Sequence, residues 1–319
     1  MLPVDPLLPG PLRWLQKVKY LRTIATIPWY VATLVLRAPF CDVLHIFAAS
    51  SWAFVLAPTP ALIVARLFGR KSILNYRDGR AEYHLTRWPT AAPTMRLADR
   101  LVTPSGYLVD VFALFGLKGQ YIHNFVDTTR FRFRQRRPFR PVFLSNRSLE
   151  PLYNTGCTLR AFARIQARYP DAQLLIAGGG SQRKALEALG RELGLRNVEF
   201  LGPVPHSRMH ELYDAADIYL NSPNVDNMPV SIIEAYASGL PVATTKAGGI
   251  PYIVRHEETG LLTPVGDPEA LAEAAMRFLR EQDFAERIVA QAREQCNQYT
   301  WEAVGDQWIS LYSELAGRG

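Results

Sequence analysis

Residues 224–251 read NVDNMPVSIIEAYASGLPVATTKAGGIP, and the two carboxylates in this stretch stand where chemistry has to explain them. Asp226 comes just before a short helix, and Glu234 lies inside it among Ile232, Ile233, Ala235 and Ala237. A carboxylate on so apolar a helix is costly to bury unless donors satisfy it. A helix starting near Met228 presents free N–H groups and a partial positive charge, which suit an anion such as a diphosphate. Glu234, little more than a turn further in, can accept hydrogen bonds from the hydroxyls of a ribose, neutral donors that need no counter-ion. Two more chemistry-bearing sets complete the list: Arg147, closing PVFLSNR, and Gly178, Gly179 and Gly180, closing AQLLIAGGG. Each has a structural alternative. Asp226 also suits an N-cap, Arg147 a strand-end ion pair, and the glycine run a plain turn.

The elements that must position these residues alternate clearly after residue 140. PVFLSNR, AQLLIAGGG, VEFLGPV, DIYLNSP, PVATT and GLLTPV read as strands. Helical stretches separate them, among them TLRAFARIQARY, SQRKALEALGRELGL with Leu186, Leu189 and Leu193 on one face, and HSRMHELYDAA. Two helices, at 268–281 and 283–298, finish this half. Alternation with near-continuous apolar strands predicts a parallel sheet covered on both faces. Such sheets bind ligands outside the carboxyl ends of their strands, which is where Arg147, Gly178–Gly180 and Asp226–Pro229 all fall. The earlier half repeats the rhythm in VLHIF, SILNY, RLVTP and QYIHN.

At 319 residues with 48% hydrophobic and 20% charged residues, the chain suits two globular domains, or one large one. Three widely spaced cysteines, Cys41, Cys157 and Cys296, offer neither a disulfide framework nor a metal-ligand pair and fit a reducing compartment. No Asp-x-Asp occurs and the histidines are scattered, so no metal is expected. Residues 23–36 are uncharged but short and interrupted by Pro28. Residues 43–65 lack Lys, Arg, Asp and Glu, yet contain Pro58 and Pro60, so a strand running into a helix is expected rather than a membrane span. Charge is uneven: residues 1–140 carry an excess of thirteen basic groups and the remainder an excess of six acidic ones. RFRFRQRRPFR at 130–140 and RWLQKVKYLR at 13–22 are the densest basic clusters. They suit either an anionic membrane surface or nucleic acid, or simply a solvated linker and helix face.

The run DNMPVSIIEAYASGLPVATTKAGGIP resembles the donor-site signature of retaining glycosyltransferases of family 4. HNFVDTTRF at 123–131, SNRSLEP, the QLLIAGGG strand, VEFLGPV and the closing YTWEAVGDQWISLY extend the resemblance over about residues 41–315. It implies an α/β chain of the GT-B type, with two Rossmann-like domains facing across a cleft. The expected division is an acceptor-side domain at 1–130, a basic linker at 131–140, a donor domain at 141–298, and a terminal helix at 299–319 that crosses back. By this resemblance Glu234 holds the ribose of a nucleotide-sugar and Arg147 its diphosphate. Asp226 and the backbone of Asn227 and Met228 meet the sugar ring, with Pro229 and Ser231 opening the helix beside them. Gly202, Pro203 and Val204 border the base. The donor is expected to be a UDP-, GDP- or ADP-hexose, the acceptor a glycan or lipid-linked intermediate, and nucleic acid is not an expected partner.

The chain departs from the family pattern at several points. Leu152 and Tyr153 stand where many members have a Lys, Asp226 replaces the more usual Glu, Tyr252 follows GGIP where an acid is common, and Arg77 occupies a frequent His position. The family's opening strand and Gly-rich loop have no counterpart in this sequence. The first domain is therefore expected to be incomplete, either because translation starts upstream or because the chain is a remnant. The resulting expectation is a cytoplasmic, metal-independent, retaining hexosyltransferase, peripheral on the inner membrane face, with a non-catalytic nucleotide-sugar-binding or scaffold subunit as the alternative.

Overall fold

The computed structural model describes residues 2–4, 8, 10, 13–14 and 21–317. Two compact units divide the chain, one of residues 1–122 and 306–319, the other of residues 123–305. Most of the basic cluster at 13–22 lies outside the described residues.

In the first unit, α1 (Leu21–Arg37) is followed by β1 (Val43–Ala48), α2 (Trp52–Leu56), α3 (Pro58–Leu67) and β2 (Lys71–Tyr76). Then come α4 (Ala81–Arg87), α5 (Ala91–Met95), β3 (Arg100–Thr103), α6 (Gly106–Leu114) and β4 (Gly119–Tyr121). The four strands that the sequence predicts are all present and form one parallel sheet in the order β1-β2-β3-β4. Pro58 opens α3, where a missing N–H costs nothing. Pro28, expected to interrupt its segment, instead lies inside α1. Packing supplies what that proline removes: Tyr30 and Leu34 are buried, and the Tyr30 hydroxyl donates to the Ala57 carbonyl at 3.1 Å. Among the described residues no helix is long and apolar enough to cross a membrane.

The second unit holds β5 (Val142–Ser145), α7 (Thr155–Arg168), β6 (Gln173–Ala177), α8 (Arg183–Glu192), β7 (Val198–Gly202) and α9 (Met209–Ala215). It continues with β8 (Ile218–Asn221), α10 (Val230–Ser238), β9 (Val242–Thr245), β10 (Leu261–Thr263), α11 (Pro268–Arg280) and α12 (Gln282–Cys296). The last helix, α13 (Trp301–Leu315), contains the point at which the chain passes from the second unit back into the first. All six strands are parallel, in the order β10-β9-β8-β5-β6-β7. The side-chain period of two divides the core cleanly. Phe143, Ile218 and Leu220 pack in one apolar cluster, while Leu144 and Tyr219 pack in the other with Ile232, Tyr236 and Val242. Both faces are covered, as continuous apolar strands require.

Four of the six arginines in the basic run at 130–140 are held in ion pairs, while Arg130 and Arg132 are exposed. The buried Asp217 carboxylate takes Arg134 at 2.5 Å and Arg140 at 2.9 Å, with Arg136 at 3.4 Å. Burial opposes its ionisation, but Arg140 and Arg134 hold the Asp217 carboxyl below the usual range. Arg137 pairs with Glu286 at 2.7 Å and Asp283 at 3.0 Å. The side chain of Arg136 is fully buried. Its guanidinium donates to the carbonyls of Tyr213 (2.8 Å), Ala216 (3.0 Å), Ser238 (2.6 Å) and Gly239 (3.0 Å). Such a segment satisfies the carbonyls left open at helix C-termini.

Candidate functional site

Strand order supplies the frame of the site. From β5 the chain winds outward through β6 and β7, then returns to β8 on the other side of β5 and winds away through β9 and β10. The order therefore reverses between β5 and β8, and open α/β sheets bind ligands at such a switch point, beyond the carboxyl ends of the strands. Arg147 stands two residues beyond β5. The segment from Ser222 to Pro229 leaves β8 and enters α10.

These elements bring Arg147, Asp226 and Ser231 together. An Arg147 guanidinium nitrogen lies 2.6 Å from Asp226 Oδ2, and another lies 3.4 Å from Ser231 Oγ. The third, Nε, is buried without a hydrogen-bond partner. Burial acts against the charge on Arg147, but Asp226 outweighs it and raises the pKa above its ordinary value. Burial raises the Asp226 carboxyl, against the pull of Arg147 and of the Asn227 N–H at 2.9 Å. The Asp226 carbonyl in turn accepts from Gly249 N–H at 3.0 Å. A side chain at Gly249 would collide with the Asn227 carbonyl, so this glycine admits the loop that carries the acid.

Asp226 is not an N-cap. The residue before α10 is Pro229, and no side chain caps that N-terminus. The helix begins at Val230 rather than at Met228, because Met228 is tied to Asn124: Sδ accepts the Asn124 N–H at 3.3 Å, and the carbonyl accepts the Asn124 side chain at 3.3 Å. The Asn227 amide, expected to meet a sugar, is engaged by the Asp226 carboxylate.

Glu234 is 5% exposed and lies one turn below Ser231. Its Oε2 is 2.8 Å from the Tyr213 hydroxyl, which also lies 3.0 Å from the Ser231 carbonyl and accepts from Asn146 Nδ2 at 2.7 Å. Its Oε1 has His206 Nδ1 at 3.9 Å, beyond hydrogen-bond distance. Burial pushes the Glu234 carboxyl up, partly offset by Tyr213, His206 and Arg147. Tyr213, Tyr219, Asn146 and His206 escape the sequence reading. Tyr219, whose hydroxyl donates to Ser231 Oγ at 2.8 Å, sits in a strand where an aromatic reads as core. Tyr213 lies on a helix face and reads the same way.

The glycine run serves close approach. Side chains at Gly178 and Gly180 would strike the backbone at Arg147 and Leu149, and the Leu149 N–H donates to the Gly179 carbonyl at 2.9 Å. These glycines thus hold the loop that carries Arg147. The Gly202 carbonyl accepts the Gly178 N–H at 2.8 Å, and a side chain at Gly179 would come within 2.9 Å of Pro203. Val204, half-buried, precedes the turn that brings His206 to Glu234. Tyr153, standing where a Lys is common, has its ring 4.4 Å from the Arg147 guanidinium carbon. Among the described residues no group of three His, Cys, Asp or Glu is placed to hold a metal ion.

The family model of glycosyl transferases group 1 matches residues 127–295. D-inositol 3-phosphate glycosyltransferase of Corynebacterium urealyticum is 34% identical over 175 residues, which are 52% of this chain and 41% of that protein. Phosphatidyl-myo-inositol mannosyltransferase of Mycobacterium leprae is 31% identical over 181 residues, 56% of this chain and 47% of that protein. The match thus spans less than half the length of these curated relatives. Among solved structures, Anabaena HepE in complex with UDP and glucose has a TM-score of 0.78 at 21% identity, covering 89% of this chain and 81% of its own. Sucrose-phosphate synthase of Thermosynechococcus elongatus has a TM-score of 0.79 at 21% identity, covering 98% and 83%. These two likenesses establish a shared GT-B fold of Rossmann-like domains. With the family model spanning more than half of the chain, the protein belongs to the group 1 glycosyl transferases.

Proposed function

We propose that the protein is a retaining, family 4-type hexosyltransferase that moves a sugar from a nucleotide-sugar to a glycan or lipid-linked acceptor without a metal ion. One observation carries the reading: Glu234, a buried carboxylate at the switch point, has one oxygen held by a neutral hydroxyl and the other outside hydrogen-bond distance of His206. Ribose hydroxyls complete such a carboxylate at no cost in charge. Breaking the sugar–phosphate bond leaves the electron pair on the diphosphate; the acceptor hydroxyl oxygen bonds to the anomeric carbon on the face that the diphosphate leaves, and its proton passes to the departing diphosphate oxygen. Arg147 and the uncapped N-terminus of α10 stabilise the departing charge. Asp226 orients Arg147 and faces the hexose.

UDP is the carrier favoured among UDP, GDP and ADP, because the HepE complex holds it. The mannosyltransferase relative, named for a phosphatidyl-inositol substrate, supports a lipid-linked acceptor. The second reading is a non-catalytic nucleotide-sugar-binding subunit. It is favoured by the Arg147–Asp226 contact at 2.6 Å, which commits the cation to an internal carboxylate.

A thermal-shift and donor-hydrolysis screen of UDP-, GDP- and ADP-hexoses tests both readings. Turnover should survive excess EDTA, and Arg147→Ala should lower kcat more than it raises KM. Binding without any hydrolysis or transfer selects the second reading. Activity lost with chelator and restored by magnesium or manganese contradicts the metal-independent route.

A further inference from the structure

The carboxyl ends of the first unit's strands carry an aromatic construction that the donor site does not use. Trp52 is 66% exposed, and its indole stands edge-on to Trp88 at 5.0 Å and 89°. Trp88 is anchored: it packs against the first-unit core and meets His84, which is fully buried against Phe54 and Tyr76. The loop that presents Trp52 is held in a conformation that a side chain resists. Ser51 has φ +61° and ψ −139°, left of the regions open to most residues. Asp78, from the neighbouring loop, holds the residue before Ser51: its Oδ2 accepts from Ser50 N–H at 3.2 Å and Ser50 Oγ at 2.6 Å. Arg80 locks the same carboxylate at 2.9 Å and 3.1 Å. Burial opposes ionisation of Asp78, but these bonds drive its pKa far below the usual carboxylate range, so the lock is charged at all ordinary pH. A backbone conformation of this kind costs stability and persists only where the surrounding structure holds it.

From this geometry we infer that Trp52 on Trp88 forms a stacking platform for one pyranose ring of the acceptor glycan. The platform lies beyond the carboxyl ends of β1 and β2, the side on which open α/β sheets receive ligands. Its exposed member is the single indole of Trp52, far smaller than the roughly 1,000 Å² that a protein interface needs. The face of an indole is apolar and flat and matches the C–H face of a pyranose, whose hydroxyls would remain at the rim. The inference rests on the reading of the protein as a glycosyltransferase and narrows its acceptor to one that presents a sugar.

Wild type, Trp52→Phe and Trp52→Ala are compared on an array of pyranose-terminated glycans, with UDP, GDP and ADP titrated calorimetrically into the same preparations. The platform predicts binding of a subset of glycans by wild type, near-wild-type signal in Trp52→Phe, and a loss of ten-fold or more in Trp52→Ala, with nucleotide affinity equal in all three. Retained glycan binding in Trp52→Ala overturns the inference, as does a wild type that binds nucleotide and no glycan. Failure of every nucleotide to bind wild type overturns the donor-site reading instead, and the glycan arm then judges the platform alone.

Discussion

Under the proposed function, stability and nucleotide binding pull in opposite directions at Glu234. Its carboxyl is raised by burial, so the native state binds its proton more tightly than the unfolded chain does. Glu234→Gln removes that penalty, and the Tyr213 hydroxyl at 2.8 Å can still donate to the amide oxygen. The mutant should therefore equal or exceed the unliganded wild type in stability at neutral pH. Its advantage should vanish below the ordinary carboxylate pKa, grow as pH rises through the raised folded value, and then level off. Nucleoside diphosphate affinity should move the other way. Losing a charged hydrogen-bond partner costs about 1.5–3 kcal/mol, which is ten-fold or more in Kd. Calorimetric titration and thermal melts across the acid range measure both effects. Unchanged affinity in the folded mutant would remove Glu234 from the site.

At the scale of elements, one guanidinium fixes the two helices that carry the site's buried pair. Arg136 bonds carbonyls at the ends of α9, which bears Tyr213, and of α10, which bears Glu234. Removing it in Arg136→Met takes the donor from the carbonyls of Arg134, Tyr213 and Gly239, at about 1 kcal/mol or more apiece, while those of Ala216 and Ser238 keep a bond from Arg134. A loss of at least ~3 kcal/mol in urea unfolding is expected. Arg137→Ala, one residue on, removes partly exposed ion pairs and should cost less than about 1 kcal/mol. Equal losses for the two variants would contradict the assignment. The arginine-rich segment is thus part of the second unit's architecture rather than a linker between charges and solvent.

Across the whole molecule, charge separates along the chain: the excess of basic groups lies in residues 1–140 and the excess of acidic ones after them. Arg134, Arg136, Arg137 and Arg140 are paired with acids of the second unit, whereas Arg130 and Arg132 of the same run stay exposed; attraction to an anionic surface is expected chiefly from the first unit's own cations. Arg37, Arg66, Arg70 and Lys71 lie in or beside α1, α3 and β2, near the exposed Leu36, Phe40 and Leu67. Flotation with phosphatidylglycerol vesicles at low salt should recover the protein, neutral vesicles should not, and raising the salt should release it. Reversing Arg66 and Arg70 to Glu should weaken recovery, whereas Arg137→Glu should not. Equal recovery on neutral and anionic vesicles contradicts electrostatic attachment.

The sequence by itself determined the alternation of elements. Apolar runs such as QLLIA and IYLN are long enough and pure enough to exclude other readings, and all ten described strands fall on segments it marks. It also placed the candidate residues, since Arg147, the glycines and Asp226 to Glu234 follow strands in the order that a parallel sheet requires. Three things waited for the tertiary structure. Strand order is a matter of long-range pairing, and only the order β10-β9-β8-β5-β6-β7 shows that Arg147 and Asp226 flank the switch point. The partners of buried polar groups are equally non-local: Tyr213 reaches Glu234 across 21 residues, and Arg147 reaches Asp226 across 79. Local composition, finally, misread the charged segment at 130–140 and the proline in α1. A guanidinium buried on helix carbonyls and a proline held by packing each owe their state to neighbours that no window of sequence contains.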